Sequence, residues 1–368
     1  MKEINLDRIS QYFEAPKGKV TLGIDGFVDE VFEVVSVRTS PTEYVLYESM
    51  RDFAKSVYDV GAGGYGSEVL RKRRSHGGFT AHTGEAVDNL GINLTLVGMF
   101  GNGKDNIDPV YQVFSDGCTV YSVGDTGLCP TLEFANGKLL MPYSAEIAKV
   151  DWAQVTGALS PEELRAAFQN STVVGLGYWS MLNNFDDLVA KLCETVVTPG
   201  TRMFFDFADL RKREKQALLD VLQLLAGLND TFPMTLSLNE HEAGILFSYM
   251  GKEFDWKAPE QADQHIEYVR QQTGLDELVV HTPYFAVAAT ASEGTAVVPQ
   301  RYCTNPVLTT GAGDNFNGGY VSASAQKGGL NLAERLLVAN ATSGHYLRNG
   351  YSPNPAELRR EMEQFDSF

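Results

Sequence analysis

Several features that mark whole protein classes are scarce in this chain. Its four cysteines, Cys118, Cys129, Cys193 and Cys303, are scattered through 368 residues with no C-x-x-C spacing. That excludes a disulfide scaffold and a cysteine-based zinc site. No apolar run approaches the ~18 residues of a membrane-spanning helix, and the polar opening MKEINLDRISQYFEAPKGK lacks the apolar core of a secretory signal. Positive charge is also short. Against 47 Asp and Glu stand 30 Lys and Arg, a formal net charge of −17, so neither nucleic acid nor an anionic membrane is expected as a partner. A small anionic substrate stays compatible, because local charge can oppose the global balance. The first strand-like run is followed by GIDGFVD, which lacks the G-x-G-x-x-G of a dinucleotide-dependent oxidoreductase. A cytoplasmic location is the expectation.

What is present is a rhythm. Short apolar runs at 19–25, 94–100, 172–178, 202–208, 234–240 and 277–282 read as buried strands. Helix-like segments lie between and after them, at 79–91, 161–168, 185–196, 212–228, 240–249, 259–273, 312–327 and 332–348. Such alternation predicts a doubly wound, mostly parallel α/β sheet covered on both faces. Two stretches break it. Residues from about 30–50 and 118–142 are β-rich, and Asn136-Gly137 is a hairpin signal. They predict a small separate sheet, a β-lid, whose exposed edge would suit pairing with a second copy in a homodimer.

Four constellations carry chemistry. In NPVLTTGAGDNFNGGYVSAS (305–324), Gly311, Gly313 and Asp314 stand ahead of a predicted helix. Unpaired N–H groups in a first helical turn favour an anion, and glycine lets it approach; a simple capped turn is the plainer alternative. Asp25 and Asp29 follow the first strand, where carboxylates can accept bonds from sugar hydroxyls or serve as ordinary loop acids. Gly77 and Gly78 open the helix 79–91 just after the basic run Arg71–Arg74. That run reads as a solvated face, unless it faces the cleft, in which case a phosphosugar is favoured. Asn239 and Glu242 share a helical face, suited to Mg²⁺ through its waters or to helix capping. His241-Glu242 is not a zincin motif, because Ile245 stands where the second histidine belongs.

In order and spacing these motifs resemble the ribokinase-like (PfkB-type) carbohydrate kinases. LTTGAGDNFNGG (308–319) matches the family's D-T-x-G-A-G-D-x-F-x-G-G at every named position but the first, and 239–242 matches N-x-x-E. Residues 77–91 match the N-terminal pattern in glycines and apolar positions, with His82 for the usual Asn, Gly84 for Ala and Val87 for Leu. VGMFGNG and FFDFADLR are similar to two further landmarks, so the likeness runs from about Lys19 to the final helix. It implies one ribokinase-like domain over 1–368 with its β-lid, and ATP- and Mg²⁺-dependent phosphoryl transfer to a sugar-like hydroxyl.

By the same resemblance Asp314 is the catalytic base and Gly311, Ala312 and Gly313 form the anion hole. Asp25, Asp29, Gly77, Gly78 and His82 would hold the substrate. Thr282, Thr310 and Asn340 would meet the nucleotide, and Asn239 with Glu242 would organise Mg²⁺. The helix N-terminus is expected to hold the pKa of Asp314 low. The departures bear on function. Leu308 replaces an acid that assists a monovalent cation, so no K⁺ requirement is expected. HTPYFA (281–286) lacks the family's glycine pair near the nucleotide. A catalytically silent sugar or nucleotide sensor on the same fold is the alternative reading.

Overall fold

The apolar runs all enter sheets. In chain order the strands are β1 Lys19–Ile24, β2 Phe27–Arg38, β3 Tyr44–Leu46, β4 Glu68–Gly77, β5 Asn93–Gly98, β6 Thr119–Ser122, β7 Gly127–Phe134, β8 Gly137–Leu140, β9 Val173–Gly177, β10 Arg202–Asp206, β11 Met234–Asn239, β12 Glu277–His281, β13 Phe285–Thr290 and β14 Gly294–Pro299. The computed structural model describes residues 4–15, 18–103, 106–114, 117–256, 259–326 and 329–365.

A nine-stranded sheet runs β14-β13-β12-β11-β10-β9-β1-β5-β6. It is parallel from β6 to β12 and closes on the antiparallel hairpin β13–β14. Successive side chains of a strand point to opposite faces, and β10 shows the result. Met203 and Phe205 join one hydrophobic layer while Phe204 joins the other. The first layer packs under helices that include Pro161–Phe168, Phe185–Thr195, Lys215–Leu228 and Glu240–Tyr249; the second packs under Phe79–Asn89, Ala312–Ser324 and Leu332–Asn349. With both faces covered, these strands read as continuous apolar runs. Gly318 and Gly319 bring the helices of the second layer together. A Cβ on Gly318 would lie 2.5 Å from Cβ of Ala86, and one on Gly319 would lie 2.6 Å from the Thr342 hydroxyl.

A second, five-stranded sheet has the order β3-β2-β7-β8, with β4 also paired to β2. The lid stretches need correction. Thr119–Ser122, inside 118–142, pairs with β5 and is the edge of the large sheet. The basic run lies in β4, antiparallel to β2, and is a solvated face at Arg71, Lys72 and Arg74, with Arg73 half-buried. A helix, Met50–Asp59, follows β3. The hairpin β13–β14 was not foreseen, and the expected helix end at residue 327 lies outside the described residues. Among the described residues, no helix is long and apolar enough to cross a membrane. The carboxyl ends of β1, β9, β10, β11 and β12 deliver Asp25, Tyr178, Asp206, Asn239 and His281 to one edge of the large sheet, where ligands of such sheets bind.

Candidate active site

The helix Ala312–Ser324 begins at Gly311, whose φ of +87° suits glycine. A side chain there would also press on the Tyr346 hydroxyl at 3.0 Å and the His82 ring at 3.5 Å. The three expected anion-hole donors are not equivalent. Ala312 N–H bonds to the Thr309 carbonyl at 3.2 Å, whereas Gly311 and Gly313 N–H make no such bond among the described residues. Asp314 lies one residue further on, buried, with the Tyr178 hydroxyl donating to its Oδ1 at 3.0 Å. The helix end does not decide its proton affinity. Burial raises the pKa above the ordinary carboxylate value, partly offset by the charge of His82 and the bond from Tyr178. The expectation of a lowered pKa is overturned, and Asp314 is a stronger base than its helix position suggests.

Asp25 and Asp29 separate into different roles. Asp25 is fully buried, and its carboxylate accepts from the backbone N–H of Phe79 and Thr80, each at 2.8 Å, and from the Thr80 hydroxyl. It caps the helix Phe79–Asn89 and has no face for a substrate, which corrects its assignment to the sugar. Burial, opposed by those bonds, lifts its pKa to about 7. Asp29 instead stands 3.5 Å from Nε2 of His82. The paired glycines make room for these acids: a Cβ on Gly77 would fall 2.3 Å from Oδ1 of Asp29, and one on Gly78 2.5 Å from Oδ2 of Asp25. Burial disfavours charge on His82, but the hydrogen bond to Asp29 and the charges of Asp314, Asp29 and Glu85 outweigh it, raising its pKa to about 9. His82 is therefore a cation at neutral pH, set among acids.

Asp206, which feels the charge of Asp314, accepts from Ala208 N–H and Asn317 Nδ2, both at 2.7 Å. Asn239 and Glu242 form a capping box: Asn239 Oδ1 accepts from N–H of His241 and Glu242, and Glu242 Oε2 accepts from Asn239 N–H at 3.0 Å. The capping alternative thus holds, yet it leaves a problem. Burial raises the pKa of both Asp206 and Glu242, joined by repulsion from Asp314 at Asp206 and from Asp206 at Glu242. Two acids that resist joint ionisation suit a hard divalent cation, which relieves the repulsion. On this observation the residues fit Mg²⁺.

A groove of about 310 Å³ is lined by Thr282, Pro283, Tyr284, Tyr302, Thr309, Gly313 and Ser343, among others. Here the nucleotide assignments change. The Thr282 hydroxyl is committed to its own turn, bonded with Phe285 O and with N–H of Tyr284 and Phe285, each at 3.0 Å. Asn340 is fully buried and ties its helix to the carbonyls of Val298 and Pro299, each at 3.1 Å. Thr309 rather than Thr310 lines the groove. Thr310 faces a larger cavity of about 1050 Å³ beneath the small sheet, where Lys138 Nζ donates to its hydroxyl at 3.1 Å and pairs with Glu133 at 3.0 Å. Sequence reasoning missed Tyr178, Asp206 and Lys138. Only Asp206 left a signal, as the acid closing a buried apolar strand.

This fold and this convergence of Asp314, the open helix turn, Asp29 and the Asp206–Glu242 pair define a ribokinase-like carbohydrate kinase. A solved ribokinase from Arabidopsis thaliana, complexed with ribose and ATP, aligns with a TM-score of 0.62 at 16% identity, covering 94% of this chain and 98% of that one. The model of the prokaryotic ketohexokinase family matches residues 8–365, and the chain belongs to that family. A ketohexokinase from Haloferax volcanii is 29% identical over 93% of this chain and 90% of its own length. An ATP-dependent ribose-1-phosphate kinase from Halopiger xanaduensis is 24% identical over 75% of this chain and 81% of its own. The silent-sensor reading gives way to a carbohydrate kinase.

Proposed function

We propose that this chain transfers the γ-phosphoryl group of ATP to a hydroxyl of a ketohexose. The observation that carries the reading is the placement of Asp314. It sits beside the free N–H groups of Gly311 and Gly313, and its charge acts on both His82 and Asp206. The ketohexokinase from Haloferax volcanii supplies the sugar class.

In this mechanism Asp29 and His82 hold the sugar against the first turn of the helix Ala312–Ser324. Asp314 takes the proton of the attacking hydroxyl, and its raised pKa suits that task. The bond from the γ-phosphorus to the β–γ bridging oxygen breaks as the new P–O bond forms, with ADP leaving. Phosphoryl transfer depends on alignment and charge neutralisation, which fixed N–H groups supply without reorganising. Glu242 and Asp206 would hold Mg²⁺ through its waters, and its chemistry is to neutralise phosphate charge. The groove lined by Tyr284, Tyr302 and Ser343 takes the nucleotide. Outward apolar residues of the small sheet, such as Val37, Val45 and Leu140, which are exposed, would meet a second copy.

ADP release measured over a panel of ketohexoses, aldohexoses and pentoses tests the reading. A kcat/KM for one ketohexose at least tenfold above every aldose is expected. Equal use of ketoses and aldoses would overturn the substrate class, and no ATP-dependent turnover of any sugar would overturn the kinase assignment.

A further inference from the structure

The run Arg71–Arg74 is not uniform once folded. Arg71 lies 3.6 Å from Glu30, Lys72 lies 2.6 Å from Glu133, and Arg74 is held by Asp108 at 2.6 Å and by Glu30 at 3.5 Å. Arg73 has no ion pair or hydrogen bond among the described residues, and its Nε is buried without a partner. Strand pairing explains where it points. Arg73 opposes Val31, Ser75 opposes Asp29 and Gly77 opposes Phe27, so Arg73, Ser75 and Gly77 share one face of β4. A Cβ on Gly77 would strike Asp29, which identifies that face as the one turned to the acceptor site. Arg73 lines a cavity of about 310 Å³ together with Ser75, His76, His82, Tyr346 and Asp29.

The other charges in this cavity do not neutralise Arg73. Asp29 is paired with His82, and Arg74 is held by Asp108 and Glu30. Glu85 stands 3.5 Å from His76 and acts on His82. The Arg73 guanidinium is half-buried, and leaving its enclosed Nε–H without a partner is costly. Its planar fork matches the oxygens of a phosphate, which would restore the lost bonds.

We propose that this cavity is an anion subsite continuous with the acceptor site, so that the enzyme takes a ketose bearing a phosphate monoester remote from the reacting hydroxyl. Asp29 and His82 form the shared wall, with Asp314 on one side and Arg73 on the other. The reaction balances as for a free sugar. One P–O bond forms to the acceptor oxygen, the bond to ADP breaks, the hydroxyl proton goes to Asp314, and the existing monoester is untouched. The inference rests on the kinase reading above, with this cavity adding the phosphorylated acceptor.

The test uses the full chain with fructose, fructose 1-phosphate, fructose 6-phosphate and inorganic phosphate as probes. Binding is read by calorimetry without ATP, and turnover by ADP release. One monophosphate is expected to bind at least tenfold more tightly than fructose, to compete with it and to accept a phosphoryl group. Arg73→Ala should weaken that monophosphate about 10- to 100-fold, at least tenfold more than it weakens fructose, and Arg73→Lys should fall between. Monophosphates that bind no better than fructose would overturn the proposal, as would equal losses for both ligands in a folded Arg73→Ala. Inorganic phosphate that binds through Arg73, with neither monophosphate competing with fructose, would also overturn it by separating the subsite from the acceptor. Tight, Arg73-dependent and fructose-competitive binding without any turnover would support the subsite and defeat the kinase reading alone.

Discussion

The Tyr178 hydroxyl donates to Oδ1 of Asp314 at 3.0 Å, joining the end of β9 to the first turn of the helix Ala312–Ser324. That bond stabilises the carboxylate, so it lowers a pKa that burial raises. In Tyr178→Phe the bond is gone and Asp314 binds its proton more tightly. The ionised base is then lost at a higher pH on acidification, and the acid limb of kcat/KM moves toward higher pH. A pH–rate profile of wild type and mutant checks this; an unmoved or downward-moved limb would refute the role of Tyr178.

Asp314→Asn retains the shape and the Tyr178 contact but removes the proton acceptor. The rate should fall about 10²–10⁴-fold, the usual contribution of a positioned base, with ATP affinity near that of wild type. Steady-state kinetics and nucleotide titration measure both. A loss below tenfold with unchanged KM would mean the proton leaves by another route.

Asp25 offers the opposite case. Its bonds are all to the helix Phe79–Asn89, so Asp25→Ala should unfold at a lower temperature. Leaving buried donors unpaired costs roughly 1–3 kcal/mol each. The raised pKa also has a consequence in wild type. The native state holds the Asp25 proton more tightly than the unfolded chain, so this group's contribution to stability declines as pH rises from about 4 to about 7. Thermal melts of both proteins from pH 4 to 8 test both statements. A mutant with an unchanged melting temperature and a raised sugar KM would return Asp25 to the substrate site.

Glu242→Gln preserves the capping geometry, since glutamine serves at the same position of the box, but removes one charge of the acidic pair. Half-maximal rate should require more Mg²⁺, while apo stability should not fall, because repulsion with Asp206 is relieved. Rate measured across Mg²⁺ concentrations, together with metal-free melts, separates these effects. An unaltered Mg²⁺ curve would leave Glu242 with capping alone.

Leu308 supplies no oxygen beside the anion-hole loop, and an apolar side chain does not compensate a bare cation. Turnover in K⁺-free buffer should match that with added KCl at equal ionic strength. Activation that lithium or choline fails to reproduce would show a cation site made from backbone carbonyls alone.

The sequence by itself determined the sheet-forming runs and the local devices. Period and length set β1, β5 and β9 to β12, because a strand buried on both faces must be continuously apolar. Gly311 ahead of Asp314 and the N-x-x-E box were legible because each works within one turn of chain. Tertiary structure decided what depends on distant neighbours. Asp25 and Asp29 look alike in sequence, yet one faces the helix Phe79–Asn89 and the other faces His82. The helix end alone points to a low Asp314 pKa, but burial raises it and outweighs the bond from Tyr178. Thr309 and not Thr310 reaches the groove beside Thr282, although both line the larger cavity. In the run 71–74, only the pairing of β4 with β2 distinguishes Arg73, whose face is turned inward, from neighbours whose charges are met by Glu30, Glu133 and Asp108.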